Sequence, residues 1–268
     1  MKLQVKRKIL NTDIKIIRNT GGCSMGGPRV FRIKLQAPNE IWTGDHKKSN
    51  VLRETGLIGS IRWWYEALIR ALGGTACGPI DNSECNGRMH CDACELFGCT
   101  GWSRKFILRC SNGKTIRISL TELRKMKDVE LGLLNTTFKI IEKYGAMGGK
   151  LAHEKYGIIR IMESDLDEFQ PEKSQLKGYL KKKGSRCENP NLKRFIFIEN
   201  PNIQLVKNLK NKCSFLKGSK NGGKRYFYKT SEKRLFAYAL NDGEYRCLIR
   251  YAPGDRVTRW DDLLEELF

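Results

Sequence analysis

The sequence predicts an α+β fold in which short strands alternate with two amphipathic helices. Three of its features predict this class. Residues 55–74 and 122–144 carry apolar side chains at the three-and-four spacing of helices. Between them, two β-like runs flank an Asn-Gly pair, which is a strong hairpin signal. A β-like run before the first helix and another after the second give the order β-α-β-β-α-β.

The first strand is predicted at residues 29–35, where Val30, Ile33 and Leu35 suit a strand that is buried on at least one face. A second β-like run precedes it at residues 3–17. A glycine-rich stretch at residues 21–28 separates the two runs and predicts a turn.

The helix at residues 55–74 reads TGLIGSIRWWYEALIRALGG and stops at a pair of glycines. Its apolar positions form one buried face, so we expect a core helix. Near its start, Gly56, Gly59 and Ser60 are expected to leave backbone N–H groups open at the positive end of the helix dipole, where a phosphate could bind. Another face carries three charged residues four apart, typical of a solvated ladder: Arg62, Glu66 and Arg70.

The remaining elements of this region follow in order. Residues 106–109 and 115–120 form a predicted hairpin that turns at Asn112-Gly113. The second helix ends at Gly145, and residues 156–161 supply a closing strand. The order β-α-β-β-α-β is the ferredoxin-like arrangement, which also underlies RNA-recognition modules. We therefore predict a ferredoxin-like domain over residues 1–161.

The chain changes character after Met162. Residues 162–194 are acidic and then basic, and we predict a linker there. Residues 195–268 are expected to form a small β-rich region, a reduced second α+β part for which a degenerate ferredoxin-like half is one interpretation. It would contain a strand at 195–198, a hairpin that turns at residues 241–243, and a short amphipathic helix at 260–268.

The charge of the chain indicates a polyanionic partner. Its 268 residues contain 50 Lys and Arg against 29 Asp and Glu, a formal net charge of +21. Nucleic acid is favoured over a membrane, because no apolar run approaches the roughly 20 residues that span a bilayer and no lipidation signal is present. The basic start is not followed by a hydrophobic signal region, so we expect the protein to stay in the cytoplasm.

A cysteine-rich insertion at residues 75–101 predicts a structural zinc site. Cys91 and Cys94 form a C-x-x-C pair that directs two thiolates at one ion, and Cys77 with Cys85 would complete a tetrahedron. The spacing alone leaves open whether His90 or Cys99 replaces one cysteine. Unligated thiols are the alternative, but the segment has too little apolar content to order itself. With nothing to direct secretion, thiols that are reduced or bound to metal are favoured over disulfides.

Residues 145–150, reading GAMGGK, form a second candidate site. A nucleotide-binding P-loop would require a preceding strand and a Ser or Thr at Leu151, so ATP binding is not expected. The glycines allow the main chain to approach phosphates closely, and Lys150, His153 and Lys155 add charge. We predict RNA contact here, with a simple turn as the alternative.

Catalysis has little support in the sequence. The chain has three histidines, and none has a companion arranged for nucleophilic or metal-assisted hydrolysis. His46 beside Asp45 could act as a general base for RNA cleavage. A surface histidine is the favoured interpretation, and we predict that the protein is not an enzyme.

The central helix resembles the signature helix of the RAMP proteins, the RNA-binding subunits of type III CRISPR effectors. It is most similar to that of the large capping subunit at the head of the type III-B (Cmr) complex. The run C-x-L-F-G at residues 94–98 and the glycine-rich loop also resemble the family, although residues 151–155 replace a run of arginines that is frequent there. The residues that carry the resemblance of the helix region are Thr43-Gly44-Asp45, Thr55-Gly56, Gly59-Ser60-Ile61-Arg62-Trp63-Trp64 and Gly73-Gly74.

The resemblance implies a noncatalytic subunit of a type III-B CRISPR interference complex, near the 3′ end of the guide (cr)RNA, that helps to capture complementary target RNA beside other RAMP subunits. Two rivals stay open. One is a guide-processing, metal-independent endoribonuclease of the RAMP fold that uses His46 or His153; the other is a stand-alone zinc-bearing RNA-binding protein. The candidate RNA contacts are Lys47, Arg53, Ser60, Arg62, Trp63, Arg70, Gly148, Gly149, Lys150, His153 and Lys155.

Overall fold

The computed structural model describes residues 27–44, 51–78, 85–153, 155–180, 187–218 and 223–268. The predicted strand at 3–17, the turn-rich stretch up to residue 26, and Asp45, His46 and Lys47 lie outside the described residues. Among the described helices, none is both long and apolar enough to cross a membrane.

A four-stranded antiparallel sheet forms the first part of the fold. Its strands are β1 (Val30–Gln36), β2 (Phe106–Cys110), β3 (Thr115–Glu122) and β4 (Arg160–Ser164), arranged in the order β2-β3-β1-β4. Helices α1 (Glu54–Ala71) and α3 (Asp128–Lys143) pack against one another, and the short helix α2 (Asp92–Phe97) lies in the insertion. The predicted α+β class, the β-α-β-β-α-β order and the Asn-Gly hairpin are confirmed.

Alternation of side chains fixes the register of the central strand. Phe31, Ile33 and Leu35 of β1 are buried, while the residues between them face outwards or are half-buried. Ile33 lies opposite Ile118 of β3, so apolar side chains meet on the face that the helices cover. This face and the apolar side of α1 form one continuous core.

Two boundaries differ from the prediction. The second helix starts at Asp128 and not near residue 122, because residues 115–122 continue as strand and Glu130 accepts a hydrogen bond from the Lys127 N–H at 2.8 Å, which caps the helix. The closing strand starts at Arg160 and not at residue 156. The reason is that Gly157 donates its N–H to the Glu40 carbonyl at 2.8 Å, so this stretch pairs with a loop rather than with β1.

A second antiparallel sheet repeats the topology of the first. After helix α4 (Lys173–Tyr179), the chain forms elements in the order β-α-β-β-α-β, followed by a last helix. The elements are β5 (Phe195–Glu199), α5 (Ile203–Lys212), β6 (Tyr226–Lys229), β7 (Arg234–Tyr238), α6 (Asp242–Tyr251), β8 (Val257–Thr258) and α7 (Trp260–Leu267). The strands lie in the order β6-β7-β5-β8, so the second, third, first and fourth strands of this sheet are neighbours in the same sequence as in the first sheet. The domain limits at residues 161 and 194 stay predictions.

The hairpin predicted to turn at residues 241–243 is wrong. These residues start α6, because the Asn241 side chain accepts the Glu244 N–H at 2.9 Å and caps the helix. The hairpin of this sheet is β6-β7, which lies earlier in the chain. The chain before this hairpin contains the helix α5, which the sequence analysis did not predict.

The expectation of thiols that are reduced or bound to metal is wrong for one pair. Cys213, at the end of α5, forms a disulfide with Cys247 of α6. The two helices pack side by side on the second sheet, and this brings the two Cα atoms to 6.1 Å, within the range of a disulfide.

Helix α1 joins the two sheets through its paired tryptophans. Trp64 is 1% exposed, and its ring lies 5.2 Å from that of Phe236 and 5.8 Å from that of Phe195, both in the second sheet. Trp63 packs at 5.6 Å from Tyr238. The same helix is therefore core for the first sheet and the docking surface for the second.

Candidate nucleic-acid interface

The signature helix and the glycine-rich loop lie in direct contact. The Gly148 N–H donates to the Ser60 hydroxyl at 2.8 Å, although the two residues are 88 positions apart in the sequence. One turn further along α1, the Trp64 indole N–H donates to the Ala146 carbonyl at 2.9 Å. The two motifs that the sequence singled out therefore form one wall of a common site.

Close packing explains the glycines of this loop. Gly148 has a φ of +92°, and a Cβ atom there would lie 2.6 Å from the Trp42 carbonyl oxygen. At Gly149 a Cβ atom would lie 2.6 Å from the Trp42 ring, and its N–H donates to the Trp42 carbonyl at 2.8 Å. The loop is thus fitted to Trp42, a residue that the sequence analysis did not select.

The backbone N–H groups are less open than the sequence suggested. The amides of both Gly148 and Gly149 are already donated within the protein. Because α1 starts at Glu54, Gly59 and Ser60 lie inside the helix, beyond the four residues whose amides lack helical partners. Of the three helix amides that the sequence suggested, only that of Gly56 lies in the first turn of α1.

A groove of about 770 Å³ lies between this wall and the second sheet. Its lining is aromatic and basic, and it includes no Asp or Glu among the described residues. The lining residues are Trp42, Thr43, Gly44, Gly56, Gly59, Ser60, Trp63, Trp64, Gly148, Gly149, Lys150, Leu151, Ala152, His153, Gly223, Lys224, Tyr226, Phe236 and Tyr238.

The groove combines positive charge with aromatic faces. Lys150 is exposed, and its ammonium lies 4.5 Å from the centroid of the Trp42 ring. Lys224 lies on the wall formed by the second sheet, beside the half-buried Tyr226. Burial raises the pKa of the Tyr238 hydroxyl. Cationic side chains beside exposed ring faces are typical of proteins that bind single-stranded nucleic acid.

Two side chains of the second sheet donate hydrogen bonds to the segment that contains the glycine-rich loop. Lys229 is 0% exposed, and its ammonium donates to the His153 carbonyl. Arg234 donates to the carbonyls of Glu142 at 2.6 Å and Gly145 at 3.3 Å. Both ends of the loop are therefore bonded to the second sheet.

The predicted RNA contacts fall into three groups. Arg53 and Lys155 are exposed but do not line the groove, and Lys47 lies outside the described residues. Arg62 and Arg70 face other parts of the protein. Six predicted residues do line the groove: Ser60, Trp63, Gly148, Gly149, Lys150 and His153.

Arg62 faces the cysteine-rich insertion instead of the groove. Its Nε donates to Glu66 at 2.6 Å, Nη1 to the Gly98 carbonyl at 3.0 Å, and Nη2 to the Cys94 sulfur at 3.2 Å. Its role is to join the helix to the insertion.

Arg70 is also committed to the protein. Its side chain is 3% exposed and donates to the carbonyls of Cys187 at 2.7 Å, Pro190 at 2.9 Å and Cys77 at 3.0 Å. Glu66 is buried between the two arginines, and this burial raises the pKa of its carboxyl. The expectation of a solvated charge ladder is therefore wrong.

Four cysteines of the insertion lie close enough together to hold a metal ion. The sulfur atoms of Cys77, Cys85, Cys91 and Cys94 all lie within 4.8 Å of one another. Hydrogen bonds with Cys91 and Cys94 lower the pKa of the Cys77 thiol, while hydrogen bonds with Cys77 and Cys91 raise the pKa of the Cys94 thiol. The insertion thus brings together four thiols that could hold one metal ion.

The two alternative ligands do not belong to this group of four. The His90 ring bonds to Glu95 at 2.6 Å and stacks on Trp102 at a centroid distance of 4.3 Å. Cys99 donates to the Thr100 carbonyl. Among the described residues, the group that could hold a metal ion consists of the four cysteines, and the exchange of one of them for His90 or Cys99 stays an untested alternative.

The groove residues of the second sheet were missed by the sequence analysis. Tyr226 and Tyr238 lie on the second sheet and Lys224 lies just before it, and no local pattern reveals that this sheet packs against α1. A weak signal was available in Tyr226 and Tyr228, which alternate with the buried Phe227 along β6.

Residues 34–117 match the family model of the RAMP superfamily, and this match confirms the predicted resemblance. The matched part includes the end of β1, all of α1, the insertion, β2 and the start of β3. No curated protein sequence matches the chain.

Two solved structures are similar to this chain. One is the apo crystal structure of Cmr1 from Pyrococcus furiosus, at 10% identity and a TM-score of 0.47, covering 89% of this chain and 97% of that chain. The other is the Csm3-Csm4 subcomplex of the type III-A CRISPR-Cas interference complex, at 15% identity and a TM-score of 0.33, covering 53% of this chain and 78% of that chain.

The fit between Gly149 and Trp42 predicts opposite effects for two glycine substitutions. Gly149→Ala should lower the free energy of unfolding by about 1–3 kcal/mol, because the new methyl group would overlap the Trp42 ring. Gly59→Ala should raise it by about 0.5–1 kcal/mol, since a Cβ atom there meets nothing within 4 Å and alanine favours the helix. Urea denaturation of both variants measures the difference. Equal stability of the two variants would refute the fit.

Proposed function

We propose that this protein is a noncatalytic RNA-binding subunit of a type III CRISPR effector complex. The observation that carries the proposal is the groove. In it, the helix α1, which lies in the part matched by the RAMP family model, contacts the glycine-rich loop. The residues that line the groove are aromatic and basic. The net charge of +21 supports a polyanionic ligand. In its specific form, the proposal is a type III-B (Cmr) subunit near the 3′ end of the guide RNA that helps to capture target RNA.

Side chains would hold the RNA in this arrangement. Lys150 and Lys224 lie on opposite walls of the groove, where each can neutralise a phosphate. Trp63 and Tyr226 are half-buried and offer ring faces on which bases can stack. Phosphate contacts and base stacking depend little on the RNA sequence. A subunit that binds many different guide RNAs requires contacts of this kind.

The noncatalytic part of the proposal rests on the surroundings of His153. This histidine lines the groove, but its Nδ1 accepts the Lys155 N–H at 3.3 Å, and its ring neighbour is Tyr156 at 5.2 Å. It has no acid or second histidine beside it among the described residues. Target cleavage would then belong to another subunit.

Purification of the tagged full-length chain from its native host tests the assembly. We expect other RAMP subunits and a guide RNA to be recovered with it, as mass spectrometry and RNA sequencing would detect. An unrelated tagged protein of similar net charge serves as control, because nonspecific charge attraction alone also recovers RNA. Recovery of RNA without partner subunits would favour the stand-alone RNA-binding protein, and recovery of neither would refute the proposal.

Two lysines, one in the glycine-rich loop and one that follows it, test the groove. Lys150→Gln should weaken binding of single-stranded RNA by about tenfold, equivalent to about 1.4 kcal/mol, because it removes a charged contact inside the groove. Lys155→Gln removes the same charge from an exposed position outside the groove and should change affinity little. Fluorescence anisotropy with the full chain measures both affinities.

The same samples test catalysis, when the RNA is examined by gel electrophoresis after binding. Intact RNA agrees with the proposal. Cleavage that His153→Ala abolishes would establish the endoribonuclease instead. Equal losses of affinity for Lys150→Gln and Lys155→Gln would mean that the groove is not the binding site.

We further propose that the cysteine cluster holds a structural zinc ion. Four thiolates around zinc, with Zn–S distances of about 2.3 Å, would have sulfur separations of about 3.8 Å. Cys77 and Cys94 already have sulfur atoms 3.5 Å apart, and all four sulfurs fall within 4.8 Å. Arg62 would offset part of the negative charge of a tetrathiolate site through its contacts with Cys94 and Cys77.

Metal analysis of purified variants tests the zinc site. The wild-type chain and Cys110→Ser should each contain one zinc ion, because Cys110 lies on β2 and is not a member of the cluster. Cys91→Ser should lose the metal and be less stable to heat, since the insertion would lose its cross-link. Full zinc occupancy in Cys91→Ser would contradict this ligand set.

A further inference from the structure

We propose that the second sheet carries a separate binding pocket for the phosphates of a single-stranded RNA, formed by Lys207, Lys210, Lys217 and Lys224. This inference rests on the proposed function, which it extends from the groove to a second site. The pocket has a volume of about 300 Å³ and is completed by Asn211 and Tyr226.

Three segments bring these lysines together. Lys207 and Lys210 are three residues apart on α5 and share one face of that helix. Lys217 ends the turn that follows α5, and Lys224 precedes β6. The Arg225 N–H donates to the Leu216 carbonyl at 3.2 Å. Lys217 follows Leu216 and Lys224 precedes Arg225, so this hydrogen bond keeps the two lysines near one another.

The positive charge of the pocket is not balanced by the protein. None of the four lysines forms an ion pair with an Asp or Glu in the part of the chain that the structure describes. Elsewhere, Lys34, Lys139 and Lys143 each have a carboxylate partner. Residues 203–229 contain eight Lys and Arg and no Asp or Glu. Four ammonium groups that converge without an acid repel one another, and an anion would relieve this repulsion.

The position of the pocket favours RNA over an acidic protein as the anion. Lys224 and Tyr226 line both the pocket and the groove, so the two cavities share a wall. The Lys210 ammonium lies 5.2 Å from the centroid of the Tyr226 ring. A strand that stacks a base on this tyrosine in the groove would therefore place its next phosphates beside the lysines.

A triple substitution tests the pocket and keeps every residue that lines the groove. Lys207→Gln, Lys210→Gln and Lys217→Gln remove three charges from exposed or half-buried positions and keep Lys224, which the groove also uses. The matched control removes three exposed lysines that line neither cavity: Lys114, Lys125 and Lys193, each changed to Gln. Glutamine has nearly the helix propensity of lysine, so we expect both variants to fold, with thermal denaturation as the check.

Binding is measured with the full chain and labelled oligouridylates of about 4 and about 16 nucleotides, a range that spans one binding site and its extension. The salt concentration is varied between about 50 and 200 mM. For the long RNA, the pocket variant should bind about tenfold more weakly than the control variant at low salt. The slope of its plot of log affinity against log salt concentration should be smaller in magnitude by about 2, because each lost phosphate contact contributes about 0.7 to the slope. For the short RNA, the two variants should bind alike.

Each contrary result has a distinct meaning. If the pocket variant matches the control on the long RNA while Lys150→Gln still loses affinity, the pocket is overturned and the groove stands. If the wild-type chain binds neither RNA, both proposals fall. If the pocket variant keeps its RNA affinity but no longer recovers partner subunits, the lysines bind an acidic protein, and the RNA assignment is overturned.

Discussion

The packing of the α1 tryptophans against the second sheet is the contact on which the rest of the structure depends. Trp64 is fully enclosed between Ala146 of the first part and Phe195 and Phe236 of the second. Aromatic groups of this size contribute a large apolar area to a contact. This contact helps to fix the position of one sheet relative to the other, and the groove has one wall on each of them.

The two faces of α1 contact different parts of the protein. One face presents Gly59, Ser60 and Trp63 to the groove, while Arg62, Glu66 and Arg70 point towards the cysteine-rich insertion and the segment at residues 187–190. A single helix therefore fixes both the ligand site and the proposed metal site. The buried Glu66 explains why both arginines stay within the protein, since an unpaired carboxylate there would be strongly unfavourable.

Local sequence patterns predicted the elements better than the contacts between them. The three-and-four spacing located α1, and the Asn112-Gly113 pair located the first hairpin, because both signals depend only on neighbouring residues. The Asn241 cap was misread as a turn, since an Asn-Asp-Gly run suits both structures. The roles of Arg62 and Lys224 could not be predicted, because they depend on which distant segment packs beside each residue.

The second sheet holds the glycine-rich loop on both sides through hydrogen bonds, from Lys229 to the His153 carbonyl and from Arg234 to the Gly145 carbonyl. A site that is tethered in this way is preorganised. In the proposed function, the incoming strand would lose its own conformational entropy on binding, but the protein would lose little. Affinity would be set mainly by how fast the strand leaves, and a loosened tether would shorten its residence time even with every groove side chain in place.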